Sequence, residues 1–198
     1  MKPIRLEENT MESDFFTALN LPRRKLCFSE RQVYIELHPS NSGPLAKLAK
    51  APVILAQQLV VTVTPEESCP AGARIEAEID VNGLEVVSPD ISEADKSRIK
   101  QKIRSQLLQG DDFPWIRYQV NDVSVQRDGS SILAKGLLTL HGRAVEQYIR
   151  FKKTGANTYE ANIQIAQTTF GLVPLTAMMG GLRSDDRIAI RCVVYLGK

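Results

Sequence analysis

Cysteine and histidine are scarce in this 198-residue chain, and aromatic residues make up only 6% of it. The three cysteines, Cys27, Cys69 and Cys192, are odd in number and lack a C-x-x-C spacing, and His38 and His141 are the only histidines. That combination excludes a disulfide scaffold and a Cys/His zinc site, so no metal or cofactor is expected. Charge of one sign is missing as well. Lys and Arg total 25 against 23 Asp and Glu, a net charge of +2, which gives no global attraction for a polyanion; nucleic acid is not an expected partner. Glycine-rich phosphate loops are absent. So are long apolar runs: the opening MKPIRLEENTMESDFF is interrupted by charge at Lys2, Arg5, Glu7, Glu8, Glu12 and Asp14, unlike a secretory signal, and no later stretch is long and apolar enough for a helical membrane span. The expected location is cytoplasmic, or periplasmic if a leader has been removed.

What is present is ordinary globular composition, 43% hydrophobic and 24% charged, in a length that suits one domain. Residues 1–30 read as an irregular extension, broken by Pro3 and Pro22 and carrying the basic triplet Arg23-Arg24-Lys25; a short amphipathic turn around Phe15, Phe16 and Leu19 is suited to docking on the main body. A first strand is expected from Gln32 to Leu37, stopped by His38-Pro39 and the turn-rich residues 40–44. Period-two patterning follows. Ile75, Ala77, Ile79 and Val81 fall on one face while Arg74, Glu76, Glu78 and Asp80 fall on the other. Ile116, Tyr118 and Val120 share a face, but Val123 and Val125 resume out of phase, which predicts a bulge near Asn121-Asp122. Ile132, Ala134, Gly136, Leu138 and Leu140 form another face. Further strands carry Val145, Ile149 and Phe151; Tyr159, Ala161, Ile163 and Ile165; and Ile188, Ile190, Cys192, Val194 and Leu196. With a less clearly phased run at 53–64, the count reaches about eight.

Short connections at 127–130, 141–143 and 154–157, each containing Gly, have no room for a crossover helix and predict antiparallel hairpins. One helix is expected at about 92–108, where Ile99, Ile103 and Leu107 recur every fourth residue; Ser92 begins it and Gly110 can end it. About eight antiparallel strands with one apolar side each must pack as a sandwich or close as a barrel.

Specific blocks then carry a likeness. Phe113-Pro114-Trp115-Ile116-Arg117-Tyr118 follows the helix, and Gly136-Leu137-Leu138-Thr139-Leu140-His141-Gly142 precedes a strand ending at Phe151. Phe170-Gly171-Leu172-Val173-Pro174, Met179-Gly180-Gly181-Leu182 and Asp186-Arg187-Ile188-Ala189-Ile190 come near the C-terminus. In this order they resemble the YceI-like family of lipocalin-like, lipid- or polyisoprenoid-binding barrels, over roughly residues 73–198. The resemblance implies a mainly β fold: an eight-stranded antiparallel lipocalin-like barrel over 31–198, with the helix over one end. Such proteins are often dimeric and hold an isoprenoid or fatty-acyl chain in the lumen. Some relatives carry a Gly-His-x-His segment after the first strand; residues 45–52 here read Leu-Ala-Lys-Leu-Ala-Lys-Ala-Pro, so any role of those histidines is absent.

On barrel geometry the inward, ligand-facing set includes Ile75, Ile79, Ile116, Tyr118, Leu138, Ile149, Ile163, Ile165 and Phe170. These are also the residues of a dry core. Met178 and Met179, followed by two glycines, suit an adaptable lid over an apolar opening. Gly136 and Ala134 are small positions that either admit a ligand or receive a bulky neighbour. Lys47 and Lys50, set among small and apolar residues, suit transient contact with a membrane surface. No catalytic group is expected. His141 occupies a tight turn, His38 has no Ser or Cys placed beside it by spacing, and the pairs Asp111-Asp112 and Asp185-Asp186 read as solvated turns. The expected function is non-enzymatic binding or carriage of a long apolar ligand. The alternative is a structural or interaction protein with a side-chain-filled barrel, working through its outer surface or a dimer. A hollow interior separates the two.

Overall fold

The computed structural model describes residues 14–67 and 72–197, apart from the Leu48 side chain. Cys69 lies outside the described residues. The elements are α1 (Phe15–Ala18), β1 (Leu26–Ser29), β2 (Val33–Ser42), β3 (Ile54–Ala56), β4 (Leu59–Pro65), β5 (Ala73–Asp80), β6 (Leu84–Val86), α2 (Glu93–Lys102), β7 (Trp115–Val125), β8 (Ser131–Leu140), β9 (Arg143–Gly155), β10 (Thr158–Ala166), β11 (Thr176–Ala177) and β12 (Leu182–Tyr195). All strand pairs are antiparallel. The hydrogen-bonded order is β1-β4-β5-β7-β8-β9-β10-β12-β2-β3-β6, with β11 added to β12.

This is a curled antiparallel sheet, mainly β with one substantial helix, but it is not a closed barrel of eight uninterrupted strands. Eleven strands lie along the path, ending at the short β1 and β6. The expected strand at 53–64 is split at Gln57-Gln58, and the one expected over 73–81 ends at Asp80, where a 3-10 turn, Val81–Gly83, separates it from the unexpected β6. The two breaks hold each other: the Gln57 N–H donates to Gly83 O at 2.8 Å and the Asp80 N–H to Gln58 O at 2.9 Å. Gly83 is required there, since a Cβ would stand 2.4 Å from Gln58 Cβ. The break also explains the poor phasing of the sequence. Ile54 and Ala56 are buried on one side of it and Leu59 and Val63 on the other, so inward positions change from even to odd numbers across it.

Other expectations meet the structure directly. The β7/β8 register shifts between Val120 and Asp122, where the phase change predicted a bulge. Gly136 lies opposite, and a Cβ on it would come within 2.2 Å of Gln119 O: the missing side chain admits the bulged backbone, not a ligand. β2 continues past His38-Pro39 to Ser42 instead of stopping. Pro39 pairs with Ile188 at the edge of a register shift in β12, between Ser184 and Ile188, a place where a residue without an N–H is tolerated. Asp185 and Asp186 occupy that shift and are not free in solvent. Asp185 accepts from the Ser40 hydroxyl, and Asp186 accepts from the Thr168 N–H and hydroxyl, each at 2.8 Å.

Ser92 caps α2, its Oγ accepting from the Asp95 N–H at 3.2 Å. The helix then widens into a π-helical turn, Ile103–Leu107, and stops at Gln109, which takes the left-handed conformation with φ 47°. Gly110 is not the residue with positive φ. It is buried, and a Cβ there would lie 3.0 Å from Val81 Cγ1. At the other end of the sheet, α1 and β1 fall within the stretch read as an extension. Asp14 caps α1 through the Thr17 N–H at 3.1 Å, Phe15 and Phe16 meet edge to face at 5.4 Å, and both rings are buried with Leu19 in the core. β1 pairs with β4.

Candidate functional site

The curled sheet encloses a cavity of about 430 Å³ with an almost wholly apolar lining, within the size range of small-molecule sites. Its wall takes the inward residue of alternate positions on successive strands: Ile75 and Ala77 from β5, Ile116 and Tyr118 from β7, Leu138 from β8, Ile149 from β9 and Ile163 from β10. These side chains are only half-buried, although none lies on a free surface of the strands, because they face empty space. The interior is hollow, so a barrel plugged by its own side chains is not what the fold provides.

The two ends differ. Phe15, Leu19 and Leu21 line the cavity at the α1 end, with Phe28 and Val33. At the other end lie Ile99, Ile103 and Leu107, the apolar stripe of α2 read from the sequence, together with the polar side chains of Asn41, Gln167, Thr176 and Ser184. Those four are neighbours through the sheet. Asn41 pairs with Ser184, Thr176 with Arg183, and Gln167 donates through Nε2 to Asp185 O at 2.7 Å. Lys50, bonded to Asp90 at 2.8 Å, and Lys102 also belong to the lining.

Of the expected ligand-facing residues, the structure brings Ile75, Ile79, Ile116, Tyr118, Leu138, Ile149, Ile163 and Ile165 to the wall. Three others lie elsewhere. Phe170 is fully buried in the core, because it closes the 3-10 turn Gln167–Phe170 before the left-handed Gly171. Met178 and Met179 point outward, Met179 with essentially all of its side chain in solvent; both backbones take the left-handed conformation, with φ of 52° and 53°. The wall residue Ala177 precedes them.

Residues 56–195 match the YceI-like domain. The chain belongs to the YceI-like family. None of the curated proteins compared with it matches by sequence. Among solved structures it is similar to BcnA of Burkholderia cenocepacia, with 10% identity, a TM-score of 0.60 and coverage of 83% of this chain and 96% of that one. A polyisoprenoid-binding domain from Saccharophagus degradans, implicated in plant cell wall breakdown, gives 10% identity, a TM-score of 0.55 and coverage of 88% and 98%. The YceI protein of Campylobacter jejuni gives 12%, 0.54, and 73% and 84%. At these identities the likeness is one of fold.

Two further polar groups of this YceI-like protein are set along the strands of the wall. The Tyr118 hydroxyl lies 3.0 Å from Ala134 O and 3.1 Å from Gln147 O and donates to these carbonyls; burial pushes its pKa up to about 12. Cys192 is the other, and burial pushes its thiol up to about 12. Its surface faces the cavity, whereas Cys27 is exposed. Since the thiolate is the reactive form, iodoacetate at pH 8 is expected to label Cys27 at least about a hundredfold faster than Cys192. Peptide mapping before and after unfolding in guanidinium checks this, and equal rates in the folded protein would place Cys192 outside.

His141 sits in the β8–β9 turn with φ 51°, its ring 4.5 Å from that of Phe113 and its Nε2 2.9 Å from Gln109 Oε1. These contacts tie the turn to the end of α2. Among the described residues no group of His, Cys, Asp and Glu is arranged to hold a metal ion. Sequence reasoning missed the α1 contribution to the wall, although Phe15 and Leu19 were visible as an apolar pair four residues apart. It also missed Gln167, which carries no pattern signal: one amide in a Gln-Thr-Thr turn is ordinary until the fold buries it.

Proposed function

We propose that this protein binds and carries a long apolar molecule, an isoprenoid or fatty-acyl chain, inside the curled sheet, without acting on it chemically. The observation that carries the reading is the hollow itself: about 430 Å³ of space walled almost entirely by aliphatic side chains. A chain entering it gains by removing apolar surface from water, about 0.8 kcal/mol for each methylene buried, or roughly fourfold in affinity per carbon. The fixed cost of association is paid once, so long chains gain most. The binding named for the Saccharophagus degradans domain supports the same ligand class.

Native mass spectrometry of gently purified protein, followed by analysis of its organic extract, tests the reading. The expected result is one lipid-sized adduct per chain, reproducible between preparations and lost on unfolding. Protein that carries no adduct and takes up none from added lipid would overturn it.

A further inference from the structure

The three most exposed large apolar side chains among the described residues lie in one segment, 173–179: Val173 at 80%, Met178 at 60% and Met179 wholly in solvent. They flank β11, whose Thr176 and Ala177 line the cavity. Single exposed apolar residues are ordinary, but here the backbone is strained to present them. Met178 and Met179 are consecutive non-glycine residues in the left-handed conformation, which costs folding free energy, and neither side chain is buried in return.

The segment borders the mouth of the cavity. Of the residues lining that space, Lys50, Lys102 and Thr176 are the exposed ones, so the cavity meets solvent between α2, β11 and the loop before β3. Residues 43–50 complete the rim, the Leu45 N–H donating to Gly181 O at 3.0 Å. Its charge is of one sign. Neither 43–50 nor 173–183 contains an acidic residue, Lys47 and Arg183 are exposed, and among the described residues no ion pair engages Lys47, Lys102 or Arg183. Asp90 is taken up by Lys50 at 2.8 Å. Asp185 and Asp186, which follow Arg183 in β12, accept from the hydroxyls of Ser40 and Thr168.

Apolar side chains and unpaired cations around an opening suit the interface of an anionic bilayer, where thioethers enter the headgroup boundary and cations meet lipid phosphates. A long apolar chain that leaves a bilayer directly into the cavity is also spared contact with water. Resting on the reading of the cavity as a ligand site, we propose that the rim formed by 43–50 and 173–183 docks on an anionic bilayer, with Met178 and Met179 inserted and Lys47, Lys102 and Arg183 over the phosphates, and that the apolar molecule passes between bilayer and cavity through this mouth.

The test is sedimentation of the full-length protein with vesicles of phosphatidylcholine alone and of an equal mixture with phosphatidylglycerol. Binding to the mixed vesicles is expected to be at least about tenfold tighter, since each cation near an anionic surface contributes a factor of about five, and to weaken at about 0.5 M NaCl. Met178→Asn with Met179→Asn is expected to weaken it about tenfold or more. Asparagine accepts the left-handed backbone better than methionine, so this variant is expected to melt no lower than wild type; Met179→Asn alone, at the fully exposed position, serves if it does. Uptake of diphenylhexatriene added from solvent, which reports the cavity without a bilayer, is expected to be the same in wild type and variants. No binding to either vesicle, equal binding to both, undiminished binding by the asparagine variants, or a dimer that forms in place of vesicle binding and is lost in the variants would overturn the docking and, with dye uptake intact, leave the cavity a lipid site. Vesicle binding without dye uptake by wild type would overturn the cavity reading and the transfer step with it, while the docking stands.

Discussion

Phe16→Ala is expected to destabilise the protein by about 3–5 kcal/mol, the cost of removing a fully buried aromatic ring and leaving a void. Phe16 is 1% exposed, meets Phe15 edge to face and carries the Arg23 guanidinium 5.6 Å above its ring. Its environment is supplied by the body of the fold, with α1 packed on β7. Gly129 makes room there, since a Cβ on it would lie 3.1 Å from Ala18 O. Urea unfolding of Phe16→Ala beside the exposed-site control Arg24→Ala checks this. The control should stay within about 0.5 kcal/mol of wild type, and an equally small change in Phe16→Ala would show that α1 does not hold the end of the cavity. Because Phe15, Leu19 and Leu21 line the lumen from the same stretch, loss of α1 docking is expected to weaken ligand retention as well.

Ala77→Phe is expected to reduce binding of a long-chain alcohol at least about tenfold, more than 1.4 kcal/mol, with a melting temperature equal to or above that of wild type. Ala77 stands in β5 between Val61 and Tyr118 and faces the cavity. A phenyl ring there enters empty space instead of an existing contact, so it occludes the path without the strain that overfilling a packed core produces. Ala189→Phe, on an exposed position of β12, is the matched control and should bind as wild type. Unchanged affinity in Ala77→Phe would place the ligand outside the lumen; unfolding of this variant would show that the space is already closed.

Much of this architecture was legible before any coordinates. Alternation exposed the inward residues of β5, β7, β8, β9 and β10, because a strand with one wet side must repeat every second residue. The phase change after Val120 located the bulge, and the fourfold spacing of Ile99, Ile103 and Leu107 located the helix face that closes one end. Three features resisted reading for physical reasons. The double break at Gln57-Gln58 and Val81–Gly83 depends on two distant segments kinking together. Pro39 looks like a stop unless the register shift opposite it is known. The outward turn of Met178 and Met179 depends on left-handed backbone angles that non-glycine residues rarely adopt.

Period and composition alone determined that the chain is an antiparallel β protein with one amphipathic helix, and which side chains share an inner face. Whether that face encloses a packed core or an empty channel was decided by tertiary structure. An isoleucine toward the middle reads the same in both cases; only the curvature of the sheet sets how far opposite walls stand apart. The same holds for Gln167, whose burial and bond to Asp185 O exist only because residues 167 and 185 meet at the register shift in β12.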